Sequence, residues 1–130
     1  MKYLQDYMNK GQDKLFKDKK VFFAFNKEQL DEGIKKHKIK GVKIVSMGQG
    51  MYCPKTNAGQ VLQSLDEIYR AGIEQDIKEN GISKIILREL LNHEAYVVGE
   101  IDDTKRKLMD YPITKEQIIK VYYKHYDKYA

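Results

Sequence analysis

The chain lacks several features that mark whole classes of proteins. It has one cysteine, Cys53, so no internal disulfide can form, and it has no long apolar run. No charged segment followed by an apolar segment begins at Met1, as it would in a secretory leader. We therefore expect a protein of the reducing cytoplasm that has no membrane partner.

Arginine is scarce beside lysine, and the net charge of +5 is unevenly spread. Residues 1–43 contain twelve lysines against six acids, residues 60–104 ten acids against four basic residues, and residues 105–130 seven basic residues against three acids. Because the middle is acidic, the chain has no uniform basic coat. It also lacks an arginine-rich strip and a reader motif, so we do not expect nucleic acid as a partner.

No internal repeat, low-complexity tract or linker interrupts the 130 residues. We predict one α+β domain over residues 1–130, with a small antiparallel sheet packed against several helices. The pattern predicts a helix over residues 1–20 with a break at Gly11, and a buried strand over residues 21–25. Asn26 begins a second helix, which runs to about Lys38.

A hairpin pairs residues 42–47 with 51–53 around the turn Gly48-Gln49-Gly50, and residues 21–25 supply the third strand. Further along the chain, helical spacing and capping residues alternate with one β-prone stretch. The predicted elements are a helix over residues 57–80 closed by Gly81 as a left-handed residue, a helix capped by Ser83, an edge strand over residues 95–98, a short helix from Asp102 or Asp103, and a final helix over residues 115–129 capped by Thr114.

One cluster joins an imidazole to several carboxylates. If the helix reaches His93, then Glu89 and His93 are four residues apart and share one face, so both can reach one ion or one proton. We expect His93 to be partly buried and hydrogen-bonded to a carboxylate or carbonyl. The candidate ligand-binding residues of this cluster are Asn92, His93, Glu94 and Asp102.

Other interpretations of the cluster stay open. The structural interpretation, which we favour, is that Asn92 and His93 hydrogen-bond the end of the helix and that the acids cap the next one. The residues fit a divalent cation or a general acid–base pair less completely, because the remaining contacts depend on an unknown turn. We assign no catalytic residue, no metal ligand and no cofactor.

Gly48 and Gly50 resemble half of a phosphate-binding loop and complete the candidate ligand contacts. A strand follows them rather than a helix N-terminus, which favours a hairpin turn. Cys53 has no neighbouring histidine and is predicted to be a buried apolar residue. Tyr122, Tyr123, Tyr126 and Tyr129 are of a type that can stack bases, but tyrosines at helical spacing are more often core or a subunit contact. Because a terminal helix seldom buries so much aromatic surface internally, we expect a homo-oligomer through the last helix.

Four segments carry a resemblance, and they cover roughly residues 20–119. KVFFAFNKEQLDEG, VKIVSMGQGMYCPKTN, RELLNHEAYVVGEIDDT and DYPITKEQI are similar to a family of short uncharacterised proteins encoded by bacteriophages and mobile elements. This family has an aromatic strand before a helix, a glycine-rich hairpin and an Asn-His-Glu segment. The resemblance implies a viral origin and a host-cell cytoplasm, and it transfers no catalytic residue.

Two classes of function follow. The first is a non-enzymatic binding protein that inhibits or sequesters a host component, either a protein or a phosphorylated nucleotide. The second is a small metal-dependent or acid–base hydrolase that uses Glu89, His93, Glu94 and Asp102. The sequence leaves open whether the protein is an enzyme.

Overall fold

The computed structural model describes residues 1–130 and contains two compact units, Met1–Gly72 and Ile73–Ala130. Eight α-helices accompany one three-stranded antiparallel sheet, which confirms the predicted α+β class. The boundary between the units falls within one long helix, α3, Ala58–Asn80. A single domain over residues 1–130 stays a prediction.

The first unit holds the sheet and two helices besides the start of α3. Its elements are α1 Leu4–Asp18, β1 Phe22–Phe23, α2 Lys27–Lys36, β2 Ile44–Gly48, β3 Met51–Pro54 and a 3₁₀ turn Lys55–Asn57. As predicted, Asn26 begins α2, and its side chain accepts a hydrogen bond of 2.8 Å from the Gln29 N–H. The helix ends two residues earlier than predicted.

The predicted break at Gly11 is wrong, because α1 continues through it. A Cβ at Gly11 would lie 3.4 Å from Cγ1 of Ile68, so the glycine lies where α1 packs closely on α3. This packing offsets the cost of a helical glycine, about 1 kcal/mol relative to alanine. The strand predicted over residues 21–25 is also shorter in the structure, where β1 contains only Phe22 and Phe23. Val21 lies outside it because its N–H donates to the Phe16 carbonyl and not to a neighbouring strand.

The sheet has the order β1-β3-β2, and both pairings are antiparallel. The predicted hairpin of β2 and β3 is confirmed, with one extra residue between Ser46 and Gly48 on β2. Gly48, Gln49 and Gly50 have φ of 92°, 51° and 79°, a run of positive values that two glycines allow. A Cβ at Gly50 would lie 2.4 Å from the Phe25 ring, so that position also needs glycine for space.

Two small cores stabilise this unit. One contains Val21, Cys53 and Val61, and the other contains Phe22 and the residues around it. Cys53 is fully buried, as predicted, and burial raises the pKa of its thiol. A neutral, buried thiol is a packing group rather than a nucleophile.

The second unit is helical. After the end of α3 it contains α4 Ile82–Asn92, α5 Ala95–Val98, α6 Asp102–Lys107, α7 Lys115–Lys124 and α8 Tyr126–Tyr129. The central helix is α4, which packs against α5, α6 and α7. Its apolar side chains Ile85, Ile86 and Leu90 are completely or almost completely buried.

Three predictions for this unit are corrected. Residues 95–98 form a helical turn rather than an edge strand, because the Glu94 carbonyl accepts from Val97 and Val98. Gly81 follows α3 and has the positive φ, 81°, of a residue that closes a helix, but its ψ of 154° lies outside the left-handed helical region, and it is the N-cap of α4. Ser83 therefore lies inside the first turn and is not the cap.

The last predicted helix is divided at His125 into α7 and α8. Its N-terminus matches the prediction, since Thr114 and Gln117 form a reciprocal capping box. The Gln117 N–H donates to Thr114 Oγ1 at 3.2 Å, and the Thr114 N–H donates to Gln117 Oε1 at 2.7 Å. This pair fixes the start of α7.

Candidate functional site

The end of α4 assembles the predicted pair Glu89 and His93 on one helix face. His93 Nε2 lies 3.9 Å from Glu89 Oε1, with the carboxylate buried and the imidazole partly buried. Both atoms are shielded from solvent and have no hydrogen-bond partner. The expected hydrogen bond from His93 to this carboxylate is not formed, because 3.9 Å exceeds its range.

The other candidate residues near His93 are exposed. Asn92 is the last residue of α4, and Glu94 follows His93 with a left-handed φ of 54°. Asp102 lies in the first turn of α6. No group of three or more histidine, cysteine or acidic side chains has the geometry to hold a metal ion. Gly48 and Gly50 belong to the hairpin turn of the first unit, where their predicted ligand role stays a prediction.

Beside Glu89 lies a buried polar network that the sequence interpretation missed. Arg88 donates from Nη1 and Nη2 to the two oxygens of Asp76, at 2.8 and 2.9 Å, and from Nε to Glu89 Oε2 at 3.0 Å. Tyr111 also donates its hydroxyl to Asp76. Thr104 donates to the Glu89 carbonyl at 3.3 Å. The network joins the end of α3, α4, α6 and the segment before α7.

The network holds its charges in a defined state. Burial by itself would raise the pKa of Asp76, but hydrogen bonds from Arg88, Tyr111 and Asn80 and the Arg88 charge bring it below its ordinary value. Burial disfavours the Arg88 cation, yet its bonds to Asp76 and Glu89 hold its pKa above the ordinary value. Burial, and then the bond to Asp76, raises the pKa of Tyr111. Asp76 is thus a carboxylate beside a protonated Tyr111.

The sequence contains a signal for this network. Asp76 stands three residues after Ile73 and next to Ile77, on the apolar stripe of α3, and Arg88 and Glu89 interrupt the apolar run of α4. Charged residues are rarely buried unless they are paired. An acid on the apolar face of α3 and an arginine on the apolar face of α4 therefore predict a buried ion pair. Their spacing in the sequence does not determine which residue pairs with which.

A second feature of this unit is an aromatic surface, the tyrosine cluster, formed by Tyr96, Tyr122, Tyr123, Tyr126 and Tyr129. Tyr96 and Tyr122 stack with centroids 4.5 Å apart and planes 5° apart. The Tyr96 hydroxyl donates to the Tyr122 carbonyl at 2.8 Å, which ties α5 to α7. Tyr123 and Tyr126 are 67% and 44% exposed, so the outer side of the cluster faces solvent.

Lysines stand along the same helices. Lys120, Lys124 and Lys128 are exposed on α7 and α8, and the Lys128 ammonium lies 5.1 Å from the centroid of the Tyr129 ring. Glu116 and Asp127 are the only acids of these two helices. Lys128 therefore lies against the tyrosine cluster, whereas Lys120 and Lys124 line a separate cavity with Ile82, Ile86 and Val121.

A family model described as a family of unknown function, DUF7659, matches residues 4–128, almost the whole chain. The chain belongs to this family. No curated protein and no solved structure matches it. In addition, none of the helices combines the length and the apolar character needed to cross a membrane.

Proposed function

We propose that the protein is a non-enzymatic binding protein encoded by a bacteriophage or mobile element. It acts in the host-cell cytoplasm, where it inhibits or sequesters a host protein through the tyrosine cluster. The observation that carries the proposal is the exposure of Tyr123 and Tyr126 on a surface whose other tyrosines already stack on one another. The viral origin is supported by the resemblance of the four sequence segments.

The rigidity of the surface supports this role. Tyrosine contributes a large contact area and loses little conformational entropy on binding, so it is frequent at protein interfaces. Here the stacking of Tyr96 on Tyr122 orders the rings before a partner arrives, which lowers the cost of binding. The network around Arg88 holds α4, the helix on which α5 and α7 pack.

The partner's chemistry follows from the charge beside the rings. Because the Lys128 ammonium lies 5.1 Å from the centroid of the Tyr129 ring, we expect a partner surface with apolar or aromatic residues at its centre and Asp or Glu around them. Interfaces of this kind have a buried aromatic centre and a polar rim. A second copy of the chain is the other occupant to be tested, since we also expect a homo-oligomer through this helix.

The experiment selects acidic-aromatic peptides from a displayed random library against the purified protein and measures their affinity for variants. We expect Tyr126→Lys to weaken the selected peptides at least tenfold. The control is Tyr3→Lys, because Tyr3 has the same 44% exposure but lies on the first unit. Equal affinity for the two variants would place the contact elsewhere and refute the proposal.

Light scattering on the same proteins tests whether the tyrosine cluster binds a second copy of the chain. If the tyrosine cluster holds a homo-oligomer, Tyr126→Lys lowers the measured mass and Tyr3→Lys leaves it unchanged. If the unsubstituted protein is a monomer at high concentration, the homo-oligomer prediction is wrong. The host-protein proposal is then judged by the peptide measurements.

A second candidate function rests on the distance of 3.9 Å between Glu89 Oε1 and His93 Nε2. A carboxylate and an imidazole so close are suited to general acid–base hydrolysis. Both atoms are shielded from solvent, and Glu94 and Asp102 are exposed, so a substrate would reach the pair only after a movement of the chain. Hydrolysis of a phosphate or ester substrate that is abolished by His93→Gln would favour this function over binding.

A further inference from the structure

The first unit contains a groove that is lined by none of the candidate ligand-binding residues described above. It lies among the end of α1, β1 and α2, and it has a volume of about 500 Å³. This volume falls within the range of small-molecule sites, about 300–1,000 Å³. The groove is therefore large enough for a ligand the size of a nucleotide base with a substituent.

We propose that this groove binds a small planar aromatic molecule that carries an anionic group. Its walls contain the rings of Phe16, Phe22, Phe23 and His37, and its cations are Lys17 and Lys36. The proposal is independent of the protein-binding function assigned to the tyrosine cluster. Either can fail without the other.

The aromatic wall is ordered by contacts within the unit. Phe22 stacks on His37 with centroids 5.6 Å apart and planes 18° apart, and it stacks on Tyr52 at 5.9 Å. Phe16 meets Phe23 edge to face at 5.5 Å. Stacking on such rings accepts any flat π-system and is worth about 1–3 kcal/mol for each nucleobase. Phe22 is buried and already stacked on His37 and Tyr52, so the rings left for a planar ligand are the exposed Phe23 and the half-buried Phe16 and His37.

Gly33 makes room for this wall. A Cβ at that position would lie 2.2 Å from Cδ2 of Phe22, so the ring lies against the backbone of α2 only because residue 33 has no side chain. Both Gly33 and Phe22 line the groove. Gly33 therefore lets the Phe22 ring lie against α2, where the ring forms part of the groove wall.

The charges of the lining favour an anion. Lys17 and Lys36 oppose one carboxylate, Glu32, and Gln29 adds a neutral amide. Burial, and then the nearby Lys36 and Lys20, lowers the pKa of His37, so its ring is neutral at pH 7. The lining thus has a net charge of +1, and an anionic substituent complements it. A neutral imidazole can also donate or accept a hydrogen bond.

The test uses the fluorescent probe 8-anilinonaphthalene-1-sulfonate, which is aromatic and anionic, and N-phenyl-1-naphthylamine, its analogue without the sulfonate. We expect one sulfonate probe to bind per chain, at least fivefold more tightly than the uncharged analogue. Adenosine 5′-monophosphate and adenosine serve as competitors. Displacement by the monophosphate alone identifies a nucleoside phosphate as the ligand source, and displacement by neither points to another aromatic anion.

Two matched pairs of variants locate the probe. Phe23→Ala and Lys36→Gln should each weaken the sulfonate probe at least fivefold, whereas Phe25→Ala and Lys35→Gln should change it less than twofold. Phe23 and Phe25 are exposed aromatic residues of the same segment, 47% and 76% exposed, but only Phe23 lines the groove. Lys35 and Lys36 are neighbours on α2, and only Lys36 lines it.

Three outcomes overturn the inference. They are no binding of the sulfonate probe at 1 mM, equal affinity for the two probes, and equal loss in the groove variants and their controls. A melting curve of each variant shows whether it is folded. If Phe23→Ala unfolds, the Lys36→Gln and Lys35→Gln pair decides, because both lysines are exposed.

Discussion

The buried pair of Asp76 and Arg88 allows a quantitative test of what holds the second unit together. Asp76→Asn keeps the shape of the side chain but removes its charge and turns one acceptor into a donor. That amide would face the Arg88 and Tyr111 donors that now bond the carboxylate. Breaking a buried pair by removing one partner costs about 3–5 kcal/mol. A domain of ordinary stability has about 5–15 kcal/mol in total.

The assay is unfolding by urea, followed by circular dichroism at 222 nm. The dependence of the unfolding free energy on urea is about 1–3 kcal/mol per M for small proteins. A loss of this size therefore lowers the urea midpoint by about 2 M. The slope should stay constant, since the substitution removes an interaction and not buried surface.

The control is Asp66→Asn on the same helix. Asp66 accepts from Arg70 Nε at 2.8 Å, but both side chains are exposed, so the pair is screened by solvent. Its loss should cost less than about 1 kcal/mol. If Asp76→Asn and Asp66→Asn shift the midpoint equally, burial adds nothing to the Asp76 pair and the reasoning fails.

Two further predictions concern acid stability and a glycine. The pKa of Asp76 is lower in the folded state than the ordinary 3.8, so its contribution to stability is present above that value and is lost as the pH falls through the folded pKa. Asp76→Asn should remove this part of the acid dependence of the urea midpoint, and an unchanged dependence would contradict it. Gly33→Ala should destabilise the protein by about 1–3 kcal/mol through the clash with Phe22, despite the better helix propensity of alanine. The control is Gly59→Ala in α3, where the added Cβ would have no neighbouring atom within 4 Å, so the substitution should be neutral or stabilising. Equal thermal midpoints for the two variants would refute the steric argument.

The local elements could be predicted from the sequence because their causes are local. The Asn26 cap, the capping box of Thr114 and Gln117 and the hairpin turn depend on side chains within three or four residues of the backbone groups they satisfy. The three strands and the α+β class follow from periodicity of the same short range. The shared face of Glu89 and His93 was predictable for the same reason.

Tertiary contacts decided what that local information could not. Gly11 stays helical because it packs against Ile68, 57 residues away in the chain. Residues 95–98 are helical, although their composition favours a strand, where α5 packs on α4 and the Tyr96 hydroxyl donates to the Tyr122 carbonyl. Propensities are weak compared with such packing. A pattern of residue types along the chain does not identify which residues meet in a long-range contact.

The buried network shows the same limit for the candidate site. His93 and Glu89 could be paired from their spacing, but Asp76, Arg88 and Tyr111 meet across 35 residues of chain. The sequence marks Asp76 and Arg88 as charges on apolar faces, and burial then requires each to have a partner. Only the packing of α3, α4 and the segment before α7 determined which atoms meet, because hydrogen bonds depend on distances of a few ångströms that sequence spacing does not define.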